Sequence, residues 1–244
     1  MIISSSAFIL FVARASLASV PFTQPLPNQS PADTILAGNT ALNHTAPFIG
    51  ADTTEVYAIR DGKRQLISTD VQVTSRITNG FLVVFTGQST LGKSIDSVSM
   101  AAGTLAPLRH VEILPKHSAA FIFGDSQLTG IVNDSTGTHN VNIALRANVL
   151  DFSIISAATN CLPLSTGYAA VILTYDVARR AEVAVGFAVA AREKIRWHDH
   201  DVETWKTITD LGTHKITRWT DVASRRDVRW EINTSQMHIE GVLK

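Results

Sequence analysis

Cysteine is nearly absent. The single residue, Cys161, in a chain of 244 cannot close an internal disulfide, so the fold must stand on packing alone. Its neighbours Leu162 and Leu164 make it a buried small hydrophobe rather than a nucleophile. A surplus of either charge is also absent. Lys and Arg total 21, as do Asp and Glu, so there is no basic excess to neutralise phosphates and nucleic acid is not an expected partner. No apolar run approaches the roughly 20 residues of a membrane-spanning helix. Internal repeats and a second domain boundary are lacking too. Hydrophobic residues, at 45 %, are plentiful enough for a sizeable core.

The first residues carry an export pattern. Ser6 to Ala13 form a short apolar core, and Ala15 to Ser19 are mostly small. Residues 1–18 therefore read as a secretory signal cleaved near Ala18, which implies an exported, periplasmic protein. Pro21, Pro25, Pro27 and Pro31 make residues 19–34 an extended linker. Residues 35–244 form the folded part.

From there the apolar period is close to two, which is the signature of strands. Asp61-Gly62 and Asn79-Gly80 are hairpin turns of the type that needs positive φ. Val183, Val185, Phe187 and Val189 form an apolar stripe on a long strand over 181–197. Residues 141–158 break the alternation, and the stretch Ala144 to Ala147 favours helix, so one helix or two short ones are expected there. Near the end, turns around Leu211-Gly212-Thr213 and Ala223 to Arg226 set Trp205 opposite Trp219, Ile208 opposite Ile216 and Trp219 opposite Trp230. Three of the tryptophans would then share one sheet face. The fold class is mainly β: a large curved antiparallel sheet, an open half-barrel of about 10–12 strands, around a short helical insert.

The chemistry-bearing residues are less distinctive. Phe123-Gly124-Asp125-Ser126 resembles the nucleophile block of GDSL esterases, but the partner element is missing, since Asp210 and His214 stand four apart rather than three. A turn at Gly124 to Ser126 is the simpler reading. Within Trp197 to Asp201, His198 and His200 on a strand would point the same way, about 6.5–7 Å apart. They are weak candidates for a metal site needing a third ligand, with a solvated turn as the alternative. His44, His110, His117 and His139 share no spacing and read as surface residues. Arg225, Arg226 and Arg229 alternate with Asp221, Asp227 and Glu231 and read as ion pairs on a wet face.

Three segments carry a family resemblance. They are Ser99 to Pro107, then Asp151 to Ile155 followed by Leu162-Pro163-Leu164, and Glu203 to Lys206 followed by Thr217 to Asp221 and Arg225 to Val228. Together they resemble a family of uncharacterised bacterial periplasmic proteins that share the open half-barrel of the lipoprotein-localisation factors (LolA and LolB type). The resemblance spans roughly residues 35–243 and brings no catalytic motif. It implies a curved antiparallel sheet wrapping a helix, with an apolar concave face. The expected lining of a ligand cavity is Phe81, Val83, Phe85, Phe121, Phe123, Phe152, Trp205, Trp219 and Trp230, unless those residues simply pack as a closed core.

The leading expectation is a non-enzymatic periplasmic protein that binds or carries a hydrophobic small molecule or lipid, with no cofactor. A cell-envelope assembly protein with a packed core and protein partners is the alternative. The third possibility is a hydrolase or metal-dependent enzyme built on Ser126 or on His198 and His200.

Overall fold

The structure, a computed structural model, describes residues 33–42, 47–89, 92–145, 148–234 and 237–244. The expected signal and most of the expected linker lie outside the described residues.

Among the described residues, sixteen strands form one large open sheet. In chain order they are β1 (Asp33–Ile35), β2 (Gly50–Arg60), β3 (Lys63–Ile77), β4 (Gly80–Ser89), β5 (Gly92–Ala101), β6 (Pro107–Leu114), β7 (His117–Phe123), β8 (Gln127–Asp134) and β9 (Gly137–Ala144). They continue with β10 (Leu150–Asp151), β11 (Ala169–Asp176), β12 (Ala181–Trp197), β13 (His200–Asp210), β14 (Lys215–Asp221), β15 (Asp227–Asn233) and β16 (His238–Leu243). The sheet runs β1-β11-β12-β13-β14-β15-β16-β2-β3-β4-β5-β6-β7-β8-β9, with β10 also pairing β11. All pairings are antiparallel except β1 and β10, which run parallel to β11. The expected mainly-β open sheet around a short helical insert is what forms, with more strands than the 10–12 read from sequence.

Sequence patterns explain many elements. The stripe in β12 is present, with Val185, Phe187 and Val189 buried. Asp61 and Gly62 both take positive φ, 48° and 72°, in the tight β2–β3 turn. Asn79-Gly80 behaves differently. Thr78 and Asn79 make that turn, and Gly80 already belongs to β4. Glycine is needed there for space: a Cβ would lie 1.8 Å from the Met100 carbonyl oxygen of β5.

Two expectations are corrected. First, the helical insert is shorter than residues 141–158. Val141 faces the core while Asn142 and Ala144 are exposed, so β9 keeps the period of two. Among the described residues, only a 3-10 turn over Phe152–Ile154 and the helix α1 (Ile155–Thr159) are helical. Second, the tryptophan row is offset by one residue. Trp205 pairs with Thr220, and Trp219 with Lys206. Across the next hairpin Trp230 pairs with Arg218, and Trp219 with Arg229. A one-residue offset reverses the face of every side chain. Trp205 and Trp230 therefore share the inner face with Arg218 and Thr220, while Trp219 points outward under Lys206 and Arg229.

The sheet curls strongly. In strand order β6 stands ten places from β11. At roughly 4.8 Å per strand, a flat sheet would hold the two nearly 50 Å apart. Yet His110 on β6 lies 2.7 Å from Asp151 on β10, the short strand on β11's free edge. Phe123 of β7 likewise meets Tyr175 of β11 edge to face, with centroids 6.4 Å apart. Single-residue register shifts in the β2–β3, β5–β6, β12–β13 and β14–β15 ladders supply local bends. The main core fills the curl: Ile35, Val56, Phe81, Val83, Val98, Met100, Phe187, Ile232 and Ile239 pack there with Phe152, Ile154 and Ile155 of the insert. A second core joins β7, β8 and β9 to Tyr175 and Val177.

Candidate functional site

A cleft of about 170 Å³ lies between the inner sheet face and the helical insert. Its apolar wall is Phe85, Phe152, Ile155, Leu211, Ile216 and Trp230. Its polar side carries Asp52, Asp70, Asp96 and Asp227 together with Arg218, Arg225 and Arg226.

The floor is a buried polar cluster. His110 and Asp151 are fully buried, and Asp96 nearly so. His110 Nδ1 donates to Asp151 Oδ2 at 2.7 Å. On the other side Nε2 lies 3.1 Å from Asp96 Oδ1. That second approach is poorly aligned for a hydrogen bond, so it acts through charge. Burial opposes protonation of the ring, but the carboxylates of Asp151 and Asp96 outweigh it and raise the His110 pKa well above the usual histidine value. Ser153 locks both acids: its Oγ donates to Asp96 Oδ2 at 3.0 Å, and its N–H to Asp151 Oδ1 at 2.8 Å. Asp151 thus caps the 3-10 turn and holds the imidazolium at once. The hydroxyl of Ser153 points to a carboxylate rather than to the imidazole, which is not the serine–histidine contact of an activated nucleophile.

Residues read as surface groups thus stand at the centre. His110 is 0 % exposed. Its partners lie 41 residues away (Asp151) and on a neighbouring strand (Asp96), so no spacing pattern could have announced them. The Arg225–Asp227 segment also departs from the expected wet face. Arg225 Nη1 donates to the carbonyls of Asn160 and Leu162 at 2.8 and 3.0 Å, satisfying groups left open after α1. Arg226 holds Asp52 through Nε at 2.8 Å and through Nη2, with its guanidinium 4.7 Å from the Phe48 ring centroid. Asp227 accepts from Ser156 Oγ (2.7 Å), Thr220 Oγ1 (2.7 Å) and Asn160 Nδ2 (3.3 Å). The β14–β15 turn and the helical insert are therefore tied together beside the cleft.

The expected lining residues divide. Phe85, Phe152 and Trp230 border the cleft. Phe81 and Val83 are fully buried in the main core, and Trp205 packs against that core. Phe121 and Phe123 belong to the second core. Trp219 joins Val228 and Leu243 in a small separate cluster, its indole N–H donating to Glu193 Oε1 at 2.7 Å.

Other candidates stand apart. His198 (φ 49°) sits in the β12–β13 turn and His200 begins β13. Both are exposed, with rings 4.9 and 5.3 Å from that of Trp197. Among the described residues no group of three His, Cys, Asp or Glu is placed to hold a metal ion. Ser126 is exposed in the β7–β8 turn. Cys161 is buried, which pushes its thiol pKa up to about 12. No described helix is long and apolar enough to cross a membrane.

An open, strongly curled antiparallel sheet closed by side chains around a short helix is a barrel-like architecture. The chain belongs to the family described as protein of unknown function DUF3108, which matches residues 53–234. It is also similar in fold to the crystal structure of a beta-barrel-like protein of domain of unknown function DUF1849 from Brucella abortus. That likeness has a TM-score of 0.50 at 8 % identity and covers 81 % of this chain and 97 % of the other. No curated protein matches the chain.

Proposed function

We propose that this protein is an exported, non-enzymatic binder of a small apolar ligand, which it holds in the cleft between the sheet and the helical insert. One observation carries the reading: a space of about 170 Å³ stays open beside Phe85, Phe152, Ile155 and Trp230 although the rest of the inner face is packed. An apolar cavity of about 150 Å³ accepts benzene, so the cleft suits one aromatic ring or a short alkyl segment. A longer chain would extend through the opening. The resemblance to the lipoprotein-localisation half-barrels supports the same reading, and the export pattern in residues 1–18 supports a periplasmic setting.

Uptake of N-phenyl-1-naphthylamine tests the proposal. Saturable fluorescence that short-chain amphiphiles displace is expected. Ala157→Phe, which places a ring in the cleft, should abolish it while leaving the melting temperature near wild type. Uptake that never saturates, or that Ala157→Phe leaves unchanged, refutes the reading.

A second reading has its own observation. Ile113, Ile122 and Ile131 are exposed at 46, 61 and 47 % on the neighbouring strands β6, β7 and β8. Such a patch favours an envelope-assembly role with protein partners. Self-association or partner capture lost in Ile122→Lys would support it.

A further inference from the structure

We propose that the ligand of this cleft is an apolar acid whose anionic group docks on Arg218; the inference rests on the binding function proposed above. Arg218 projects from β14 on the inner face, opposite Trp230, and borders the cleft. It is 6 % exposed. Burial lowers the pKa of this guanidinium and Asp227 opposes the shift, which marks a charge removed from water with little compensation.

Its nitrogens are unevenly used. Nη1 donates to Thr209 Oγ1 at 2.6 Å. Nε lies 3.5 Å from Asp227 Oδ2, too far for a strong bond. Nη2 meets no acceptor among the described residues. Asp227 faces Arg218 at 3.5 Å while it accepts hydrogen bonds from Ser156, Thr220 and Asn160, so it makes no short bond to the guanidinium.

The acids around the cleft all have donors. Asp52 accepts from Arg226, and Asp96 accepts from Ser153 at Oδ2 while its Oδ1 faces the His110 imidazolium. Asp70 accepts from Ser68 Oγ at 2.7 Å. Arg218 brings to the cleft a planar, desolvated fork that matches a carboxylate. The apolar residues of the cleft take the ligand's hydrocarbon. Burial of hydrocarbon favours every apolar ligand of like length, and association consumes much of that gain, so an anchoring charge decides which apolar molecule stays.

The test compares octanoate with 1-octanol at neutral pH, by calorimetric titration of the full chain and of its Arg218→Gln and Arg218→Lys variants. Charge-assisted hydrogen bonds of this class predict that octanoate binds wild type at least about tenfold more tightly than octanol. Arg218→Gln should bring the two ligands within about twofold. Arg218→Lys, which keeps the charge but loses the fork, should fall between. Equal wild-type affinities overturn the dock while leaving the apolar-binding function standing, and that comparison needs no variant to fold. An octanoate preference that survives Arg218→Gln also overturns it, since the anion is then held elsewhere. Binding of neither ligand removes the parent function and the dock together.

Discussion

Replacing His110 with leucine should be among the most damaging single changes in this chain. The imidazolium is flanked by Asp151 at 2.7 Å and Asp96 at 3.1 Å, with both acids buried. Leucine would leave two carboxylates facing each other across an apolar gap. Ser153 would keep one donor on each, but no positive charge would remain. Breaking a buried ion pair in this way costs about 3–5 kcal/mol. For a chain of this size each kcal/mol shifts the melting temperature by about 2–4 °C, so a fall of roughly 6–20 °C is expected. Converting both acids to amides in the same background, Asp96→Asn with Asp151→Asn, should recover most of the loss because the uncompensated charge disappears.

The pH profile supplies a second readout. The folded-state pKa of His110 is raised, so its contribution is fully present below the unfolded value of about 6.5 and is lost as pH rises through the folded pKa. Wild type should therefore lose stability on the alkaline side of about 6.5. His110→Leu should lack that limb and instead gain stability on acidification, as its stranded carboxylates take up protons. His214, whose pKa burial lowers, titrates below that window and cancels in the difference between the two proteins. Melting curves across pH would settle the matter. A loss under about 1 kcal/mol, or a triple variant no more stable than His110→Leu, would refute the buried-charge reasoning.

Further predictions follow from other sites. Cys161, buried with its thiol pushed up to about 12, should resist a thiol reagent such as DTNB at mildly alkaline pH and react only on unfolding; rapid labelling of the native protein would contradict its burial. Gly241→Ala should cost about 1–3 kcal/mol, because the added Cβ would lie 2.1 Å from Trp230 Cε2. The displaced indole borders the cleft, so dye uptake and tryptophan emission should change together; a stable variant with unaltered emission would count against that contact.

The strand-rich class was legible because strands announce themselves locally: the period of two in β12 and the Asp61-Gly62 turn need no distant partner. Register was not legible. Pairing of Trp205, Trp219 and Trp230 depends on turn geometry and on the register shift between Trp219 and Thr220, and a single residue of offset sends Trp219 outward. Of the expected lining, Phe85 on β4, Phe152 in the 3-10 turn and Trp230 on β15 border the cleft, brought together from three separate elements. Which of them line a cavity and which fill a core was beyond the sequence, because that depends on how far the sheet curls.

The polar half of the site was hidden for a related reason. His110 resembles an ordinary surface histidine until β6 is carried round to β10, and Arg218 resembles one more strand charge until the fold buries it beside the cleft. Alternation, turns and apolar stripes were readable along the chain, since these follow from backbone sterics and from which side chains avoid water. The curl, the Asp96–His110–Asp151 cluster that fastens it and the cleft with its buried guanidinium arise only in three dimensions. Those features join residues far apart in the chain, where a charge acquires meaning only from what surrounds it.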